Sequence, residues 1–239
     1  MSTPFKLDHV ALGLRRISDG LPLVRDVLRG VHMAEIPESA FRWTQWGYSN
    51  DGVLELLEPD GPPGGFLHRF LEARSPGVHH VTFKVPDLAA ARARAEALGY
   101  GIVGYDDSQP TWKEAFVHPK QAMGIVVQLA ESPQSWPLPA APAASAHILA
   151  LRLVARDAAA VRRLWGELLG GSESDEDGSL CFRWPDSPIA MRVDLDPQAP
   201  EEGPRRLEVG SGRKLDLPEG PYPELGVPVV QVDARGGTG

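Results

Sequence analysis

Two histidines and two Glu/Gln residues in the first half of the chain have side chains that can bind a metal ion. His9 lies in the segment LDHVAL and Glu55 in VLELL, whereas His80 lies in VHHVTF and Gln128 in IVVQL. Each histidine is followed by its Glu/Gln after almost the same length of chain, so the four occupy equivalent positions of a duplicated segment. Two imidazoles, a carboxylate and an amide oxygen can bind a divalent ion and leave coordination positions for water or substrate.

The residues around these four indicate that they are buried. Glu55 lies between Leu54 and Leu56, and His80 and Gln128 have equally apolar neighbours. A single histidine in a strand is usually structural, and a single Glu or Gln indicates little. Buried polar side chains need partners, however, and one shared ion would supply a partner for all four. Such an ion would polarise a substrate carbonyl and stabilise an enolate.

The strands and helices that must position these residues repeat in the same order in two modules, residues 5–60 and 77–131. Each module begins with a strand that carries the histidine, continues with a helix, and ends with strands, the last of which carries the Glu/Gln. Asp19 is expected to cap the first helix and Asp87 the second. The residues 49–52, SNDG, are typical of a hairpin turn. The pattern predicts an α+β fold of tandem βαβββ modules.

The remainder of the chain predicts a linker and a second domain. Residues 132–146 are rich in Pro, Ala and Ser, which is typical of a partly extended linker. The module pattern then starts again at His147 and continues with a helix after Asp157. We therefore expect a metal-binding domain over residues 1–131 and a degenerate copy of it over residues 147–239.

The second domain lacks the ligand set of the first. At the offset along the chain that separates His147 from His9, Val193 occupies the position of Glu55. His147 and Gln231 remain as candidate ligands, and two such residues alone cannot hold a metal ion tightly. The last module also has no helical pattern. These observations predict a structural role for this half.

The composition of the chain limits the possible partners. The chain has 239 residues and a formal net charge of −8, which argues against nucleic acid or an anionic membrane as the main partner. Cys181 is the only cysteine, so neither an intrachain disulfide nor a cysteine-based zinc site is possible. No apolar run approaches the length that spans a membrane. We expect a cytoplasmic protein, monomeric or homodimeric, that binds a small molecule.

Residues 5–131 resemble the vicinal oxygen chelate superfamily, which includes glyoxalase I, methylmalonyl-CoA epimerases and extradiol dioxygenases. Methylmalonyl-CoA epimerases are the most similar branch. The resemblance covers about half of the chain and depends on five short segments. These are Asp8–Ala11 (DHVA), Glu55–Pro59 (ELLEP), Gly77–Val81 (GVHHV), Phe116–Lys120 (FVHPK) and Gly124–Leu129 (GIVVQL).

The resemblance implies a curved, U-shaped mixed sheet with helices outside and one divalent ion, such as Zn, Co, Ni, Mn or Fe, in its concavity. His9, Glu55, His80 and Gln128 match the four ligand positions of the family. The epimerases carry Gln at the position of Glu55 and Glu at that of Gln128, so the two residue types are exchanged here. Glu114 is expected to be a solvated strand residue rather than a second acid or base.

The function that follows is a metal-dependent isomerase or lyase of the glyoxalase type. It would act on a small carbonyl or carboxyl substrate, and Glu55 would move a proton at the carbon next to the carbonyl. The first alternative is a non-haem iron dioxygenase that uses His9, His80 and Glu55. The second alternative is a non-catalytic protein that sequesters a small molecule in the same cleft.

Overall fold

The chain folds into two mixed sheets with few helices. The structure is a computed structural model, and it describes residues 5–37, 40–133, 140, 142, 145–220, 222 and 224–233. The first half of the chain supplies an eight-stranded sheet and the second half a six-stranded sheet. The predicted α+β class and the repeated βαβββ modules are confirmed.

The first module has a strand, a helix and three further strands. Its helix α1 continues directly into a π-helical segment, Pro22–Val27. A helix, α2, follows the module and leads into the second one. The elements are β1 Lys6–Gly13, α1 Ile17–Leu21, β2 Val31–Pro37, β3 Phe41–Gly47, β4 Val53–Pro59 and α2 Phe66–Arg74.

The second module repeats this order. The carboxylate of Asp87 accepts a hydrogen bond from the backbone N–H of Ala90 at 2.8 Å, so Asp87 is the N-cap of α3, as the sequence predicted. A short 3₁₀ turn, Pro119–Gln121, separates the last two strands. The elements are β5 Gly77–Lys84, α3 Leu88–Ala97, β6 Ile102–Gln109, β7 Trp112–Val117 and β8 Val126–Glu131.

In each module the first strand pairs in parallel with the last one. The strand order of the sheet is β2-β3-β4-β1-β5-β8-β7-β6. Ala11 on β1 is in register with Glu55 on β4, and Thr82 on β5 is in register with Gln128 on β8. Side chains alternate between the two faces of a strand. The histidine of each module therefore shares a sheet face with its Glu/Gln.

The start of α1 differs from the prediction that Asp19 caps it. The helix begins at Ile17, and its N-cap residue, Arg16, makes no side-chain capping bond. The backbone N–H of Ile17 instead donates to Glu58 Oε2 at 2.6 Å. Asp19 lies inside the first turn and pairs with Arg16 at 3.2 Å. The prediction was wrong because the acceptor comes from β4, which is distant in sequence.

The second half contains one complete copy of the module, β9 to β12 over residues 147–195, and one shortened copy, β13 and β14 over residues 203–231. Asp157 caps its helix by accepting from the backbone N–H of Ala159 at 2.7 Å, and this helix also continues into a π-helical segment. Among the described residues between the last two strands there is no helix, as the sequence predicted. The elements are β9 His147–Ala155, α4 Ala158–Val161, π-helix Arg162–Leu168, β10 Ser172–Glu176, β11 Ser179–Arg183, β12 Ala190–Leu195, β13 Gly203–Gly210 and β14 Val229–Gln231.

The single cysteine lies in the middle of β11. Cys181 is fully buried, and burial raises the pKa of its thiol. It is in register with Arg192 on β12, and Arg192 donates to Glu176 at the end of β10. Glu176 also accepts from Arg183. Cys181 therefore lies on the central one of three paired strands.

Contacts within the chain divide it into two compact units, each of which takes segments from both halves. In the first unit the rings of Phe83, Trp165 and Trp184 contact one another, with the Phe83 and Trp184 centroids 4.8 Å apart. The second has an apolar cluster that joins α2 to the sheet through Leu67 and Leu71. The first unit comprises Met1–Asp8, His80–Trp136 and Leu151–Arg205, and the second comprises His9–His79, Pro137–Ala150 and Arg206–Gly239.

The domain boundaries inferred from the sequence stay a prediction. The proposed linker, residues 132–146, lies largely outside the described residues. No helix in the described part of the chain is both long and apolar enough to cross a membrane.

Candidate metal centre

The first module brings an imidazole and a carboxylate together on one face of the sheet. Glu55 on β4 is in register with Ala11 on β1, so His9 lies two residues away on the same face. The distance between His9 Nε2 and Glu55 Oε2 is 3.6 Å. His9 is 2 % exposed and Glu55 is 8 % exposed, which confirms the burial that their neighbours in the sequence indicated.

Gln45 is a partner of Glu55 that the sequence analysis missed. It lies on β3 directly opposite Glu55 in the antiparallel β3–β4 pair. Its Nε2 donates to Glu55 Oε2 at 2.8 Å, and this bond fixes the position of the carboxylate. The signal was present in the sequence, since a hairpin turn at residues 49–52 sets the register that places these two residues opposite each other.

His80 completes a group of three possible ligands. It lies on β5, next to β1 in the strand order of the sheet, and is 7 % exposed. One ligand atom from each of His9, Glu55 and His80 lies within 4.8 Å of the other two. Atoms that each bind one ion at about 2.0–2.2 Å are at most about 4.4 Å apart. The three residues thus fit a divalent ion after only small movements of their side chains.

Gln128 is buried in the second module, on the same sheet face as His80. Its Oε1 accepts from Thr82 Oγ1 at 2.5 Å, and its Nε2 donates to Glu114 Oε2 at 2.7 Å. The indole Nε1 of Trp112 donates to the same Glu114 oxygen at 2.9 Å. Glu114 therefore contacts a candidate ligand directly, and the expectation of a simple solvated strand residue was wrong. That Gln128 is the fourth ligand stays a prediction.

His79, the neighbour of His80, packs against α2. Its ring centroid is 5.4 Å from that of Phe66 and 4.9 Å from that of Phe70. Burial among these rings lowers the pKa of His79 to about 4, so its imidazole is neutral at pH 7. This surrounding indicates a packing role.

Two further residues of the matched segments have structural contacts. His118 accepts from the backbone N–H of Lys120 through Nδ1 at 3.1 Å and so caps the 3₁₀ turn. Glu58 accepts from Ile17 at the start of α1 and from Arg42 at 3.1 Å. Each side chain thus accepts a hydrogen bond from a backbone N–H group at the start of a helix or turn.

The positions in the second half that correspond to the ligands have other contacts. Val193, at the position of Glu55, is fully buried and apolar. Gln231 Nε2 donates to the carbonyl oxygen of Arg213 at 2.7 Å, and its Oε1 accepts from the N–H of Leu215 at 2.8 Å. Gln231 thus ties a loop to β14. Within the described residues, His9, Glu55 and His80 form the one group of three such ligands.

The first half of the chain is similar in sequence to known proteins. Residues 8–116 match the model of the Glyoxalase/Bleomycin resistance protein/Dioxygenase superfamily. The protein YqjC of Bacillus subtilis (strain 168) is 28 % identical over 136 residues, which are 53 % of this chain and 91 % of that protein. An ethylmalonyl-CoA/methylmalonyl-CoA epimerase of Cereibacter sphaeroides is 33 % identical over 85 residues, which are 32 % of this chain and 59 % of that protein.

A solved structure extends the similarity of fold to nearly the whole chain. The crystal structure of a hypothetical protein from Staphylococcus aureus superimposes with a TM-score of 0.69 at 12 % identity. The match covers 96 % of this chain and 99 % of that protein. The second half of the chain is therefore part of the same two-domain fold, although its sequence repeat is weak.

Proposed function

We propose, from the match of residues 8–116 to the model of the Glyoxalase/Bleomycin resistance protein/Dioxygenase superfamily, that this chain is a metal-dependent enzyme acting on a small carbonyl or carboxyl substrate. The observation that carries the proposal is the convergence of His9, Glu55 and His80, whose ligand atoms lie within 4.8 Å of one another. The three side chains are buried, and two imidazoles with one carboxylate suit a divalent ion of the Zn, Co, Ni, Mn or Fe type.

Gln128 is the proposed fourth ligand, and the remaining positions would be open to substrate. The ion, when bound, would polarise the substrate carbonyl and stabilise the negative charge that develops on its oxygen. The buried side chains of the sheet face would exclude water from the reacting atoms, which strengthens such interactions.

Glu55 is the proposed proton-transfer group. Its carboxylate removes the proton from the carbon beside the substrate carbonyl, and the electron pair of the broken C–H bond moves onto the carbonyl oxygen to give an enolate. Glu55 then delivers the proton, which can exchange with solvent while Glu55 holds it, to the neighbouring oxygen-bearing carbon of an enediolate, and this gives the isomerised product without any oxidant. On a malonyl thioester, removal and return at the same carbon would appear as exchange of the C–H proton with solvent. The hydrogen bond from Gln45 at 2.8 Å holds the carboxylate in place during both transfers.

The similarity to an ethylmalonyl-CoA/methylmalonyl-CoA epimerase supports a 2-substituted malonyl thioester as the first substrate to test. A hemithioacetal of an α-ketoaldehyde is the second substrate to test. Proton transfer between the two neighbouring carbons of that substrate is the glyoxalase type of reaction. Both substrates present two neighbouring oxygens to an ion and an acidic C–H bond to a base.

Metal content tests the ligand set. The chain is loaded with Co²⁺ or Zn²⁺, passed through a desalting column and analysed for metal. We expect retention by the unmodified chain and loss in His9→Ala and His80→Ala. His32→Ala is the matched control, since His32 is exposed on β2 and should leave retention unchanged. Retention of metal by both His9→Ala and His80→Ala would reject the site.

Exchange of the substrate C–H proton in D₂O tests the reaction. Glu55→Gln keeps the shape and an oxygen ligand but removes the base, so exchange should fall about a hundredfold to ten-thousandfold at full metal occupancy. Glu35→Gln, a change at an exposed carboxylate on β2, should leave exchange unchanged. Substrate binding without exchange in the unmodified chain would point to a sequestering protein instead.

A non-haem iron dioxygenase is the second candidate, because two histidines and one carboxylate are the ligand set of such enzymes. Oxygen uptake by the Fe²⁺-loaded chain with catechol distinguishes it from the isomerase. The proposed isomerase should consume no oxygen.

A further inference from the structure

A series of hydrogen bonds in the second module ends on the amide of Gln128. Thr82, which is fully buried, donates to Gln128 Oε1 at 2.5 Å. On the other side, Gln128 Nε2 donates to Glu114 Oε2 at 2.7 Å. Trp112 Nε1 donates to this same carboxylate oxygen at 2.9 Å, and the ammonium of Lys84 lies 3.9 Å from the centre of the Trp112 ring. One carboxylate oxygen of Glu114 thus accepts hydrogen bonds from both Gln128 and Trp112.

The chemistry of these partners determines which way the amide of Gln128 faces. An ionised carboxylate can only accept hydrogen bonds, whereas the hydroxyl of Thr82 can donate or accept. The NH₂ group of Gln128 must therefore face Glu114, and its oxygen must face Thr82. An amide oxygen has two lone pairs, so accepting from Thr82 leaves one available for an ion.

The first module has the same pair of groups with the strands exchanged. There the amide is Gln45 on β3 and the acid is Glu55 on β4, joined at 2.8 Å. In the second module the acid is Glu114 on β7 and the amide is Gln128 on β8. Each module thus keeps one hydrogen bond between an acid and an amide on its last two strands, while the residue types change places.

We propose that Glu114 is a positioning residue that fixes the orientation of the Gln128 amide, so that oxygen rather than NH₂ is presented as the fourth ligand. His80 and Gln128 share a sheet face, since β5 and β8 pair in parallel with His80 opposite Val126 and Thr82 opposite Gln128. An NH₂ group in place of the oxygen has no lone pair for a metal ion. The inference rests on the proposed function, because it assigns a role to Glu114 only through the metal site.

Titration with Co²⁺ tests this role through binding and visible absorption. Residues that orient a metal ligand typically contribute about tenfold to a hundredfold to metal affinity. In Glu114→Gln the neutral partner accepts either orientation of the Gln128 amide, so Co²⁺ affinity should fall by that factor. The absorption bands of the bound Co²⁺ should also change, because the bands depend on the atoms in the ligand set. Thr82→Val should change the Co²⁺ affinity and the absorption bands much less, since Glu114 still fixes the orientation of the Gln128 amide.

The exchanged double variant, Glu114→Gln with Gln128→Glu, provides the rescue. It gives the second module the arrangement of the first, with the amide on β7 and the acid on β8. Co²⁺ affinity should return at least to that of the unmodified chain, because the carboxylate of residue 128 presents an oxygen in either orientation. Gln128→Glu alone brings two carboxylates into contact, so the urea midpoint of this variant without metal should be lower than that of the unmodified chain. The midpoint of the double variant should be higher again, because only one carboxylate remains.

Three outcomes separate this inference from the proposed function. A Glu114→Gln variant with unchanged Co²⁺ affinity and spectrum, beside a His80→Ala variant that has lost Co²⁺, overturns the positioning role alone. If the unmodified chain itself binds no Co²⁺, both proposals fail. If Glu114→Gln does not fold, Trp112→Phe is the substitute, because it removes only one donor to Glu114. The positioning role is then overturned if the Co²⁺ spectrum of Trp112→Phe is unchanged and the double variant shows no rescue.

Discussion

At the scale of single residues, the bond between Gln45 and Glu55 makes the first prediction. Gln45→Leu removes the donor 2.8 Å from the proposed base. A hydrogen bond to a charged group contributes about 1.5–3 kcal/mol, so kcat for proton exchange should fall about tenfold to a hundredfold at saturating metal. Gln109→Leu, at an exposed end of β6, is the control. Equal rates in the two variants would mean that Gln45 does not hold Glu55 in its active position.

His79 makes a prediction about pH. Its pKa is about 4 in the folded chain and about 6.5 when unfolded. As the pH falls below 6.5 the unfolded state takes up the proton first, so stability decreases until about pH 4, by up to roughly 3 kcal/mol. In His79→Leu this part of the loss should disappear.

Urea unfolding of the metal-free chain at pH 7 and pH 4.5 measures the effect. His32→Leu is the matched control, because His32 is exposed and its removal should leave the pH dependence as it was. The same dependence in His79→Leu as in the unmodified chain would show that the imidazole of His79 is not buried.

The sequence predicted the candidate ligands because duplication gave each of them a counterpart. It did not predict their partners Gln45 and Glu114, because a partner on a neighbouring strand depends on strand register. For Gln45 the hairpin could have supplied that register. For Glu114 the hydrogen bond runs diagonally, since Gln128 is directly opposite Phe116 and not Glu114. Such a contact depends on side-chain length and on the Trp112 donor.

At the scale of elements, two aspartates make a matched prediction. Asp87→Ala removes the carboxylate that accepts from Ala90 at the start of α3 and should lower the free energy of unfolding by about 0.5–2 kcal/mol. Asp19→Ala should change it by less than about 0.5 kcal/mol, because Asp19 caps no helix. Urea unfolding of both variants measures the difference. Equal losses of unfolding free energy in the two variants would mean that the capping bond of Asp87 does not stabilise α3.

The sequence predicted the strands and helices well where a local pattern determines them, as with Asp87 and the hairpin at residues 49–52. It failed at the start of α1, where the acceptor Glu58 comes from another strand. The π-helical segments after α1 and α4 were also not predicted, because a shift from α to π hydrogen bonding leaves the apolar spacing of the sequence almost unchanged.

At the scale of the whole molecule, the duplication predicts one metal ion per chain. Val193 offers no ligand atom, and the amide of Gln231 is used by the backbone of a loop. We expect one equivalent of tightly bound Co²⁺, unchanged in His147→Ala and lost in His80→Ala. Two equivalents per chain would contradict the structural role of the second half.

The division into modules was predictable from the repeats, but the composition of the compact units was not. Each unit combines segments from both halves of the chain. Repeats in a sequence identify similar modules, whereas contacts between modules depend on the shape and chemistry of their buried faces. The aromatic group of Phe83, Trp165 and Trp184 is such a case, because Phe83 comes from the first half and both tryptophans come from the second.

Because Cys181 is buried, its thiol can serve as a natural probe of how the six-stranded sheet opens. A thiol reagent can reach this side chain only when the groups that bury it move away, and the raised pKa of the thiol further slows the reaction. The rate of labelling therefore reports how often this part of the chain opens. If the second half is a rigid support for the site, labelling should be as slow as global unfolding, and saturating Co²⁺ should slow it further by stabilising the folded chain. Labelling within seconds in native buffer, unaffected by Co²⁺, would instead identify a sheet that opens independently of the metal centre.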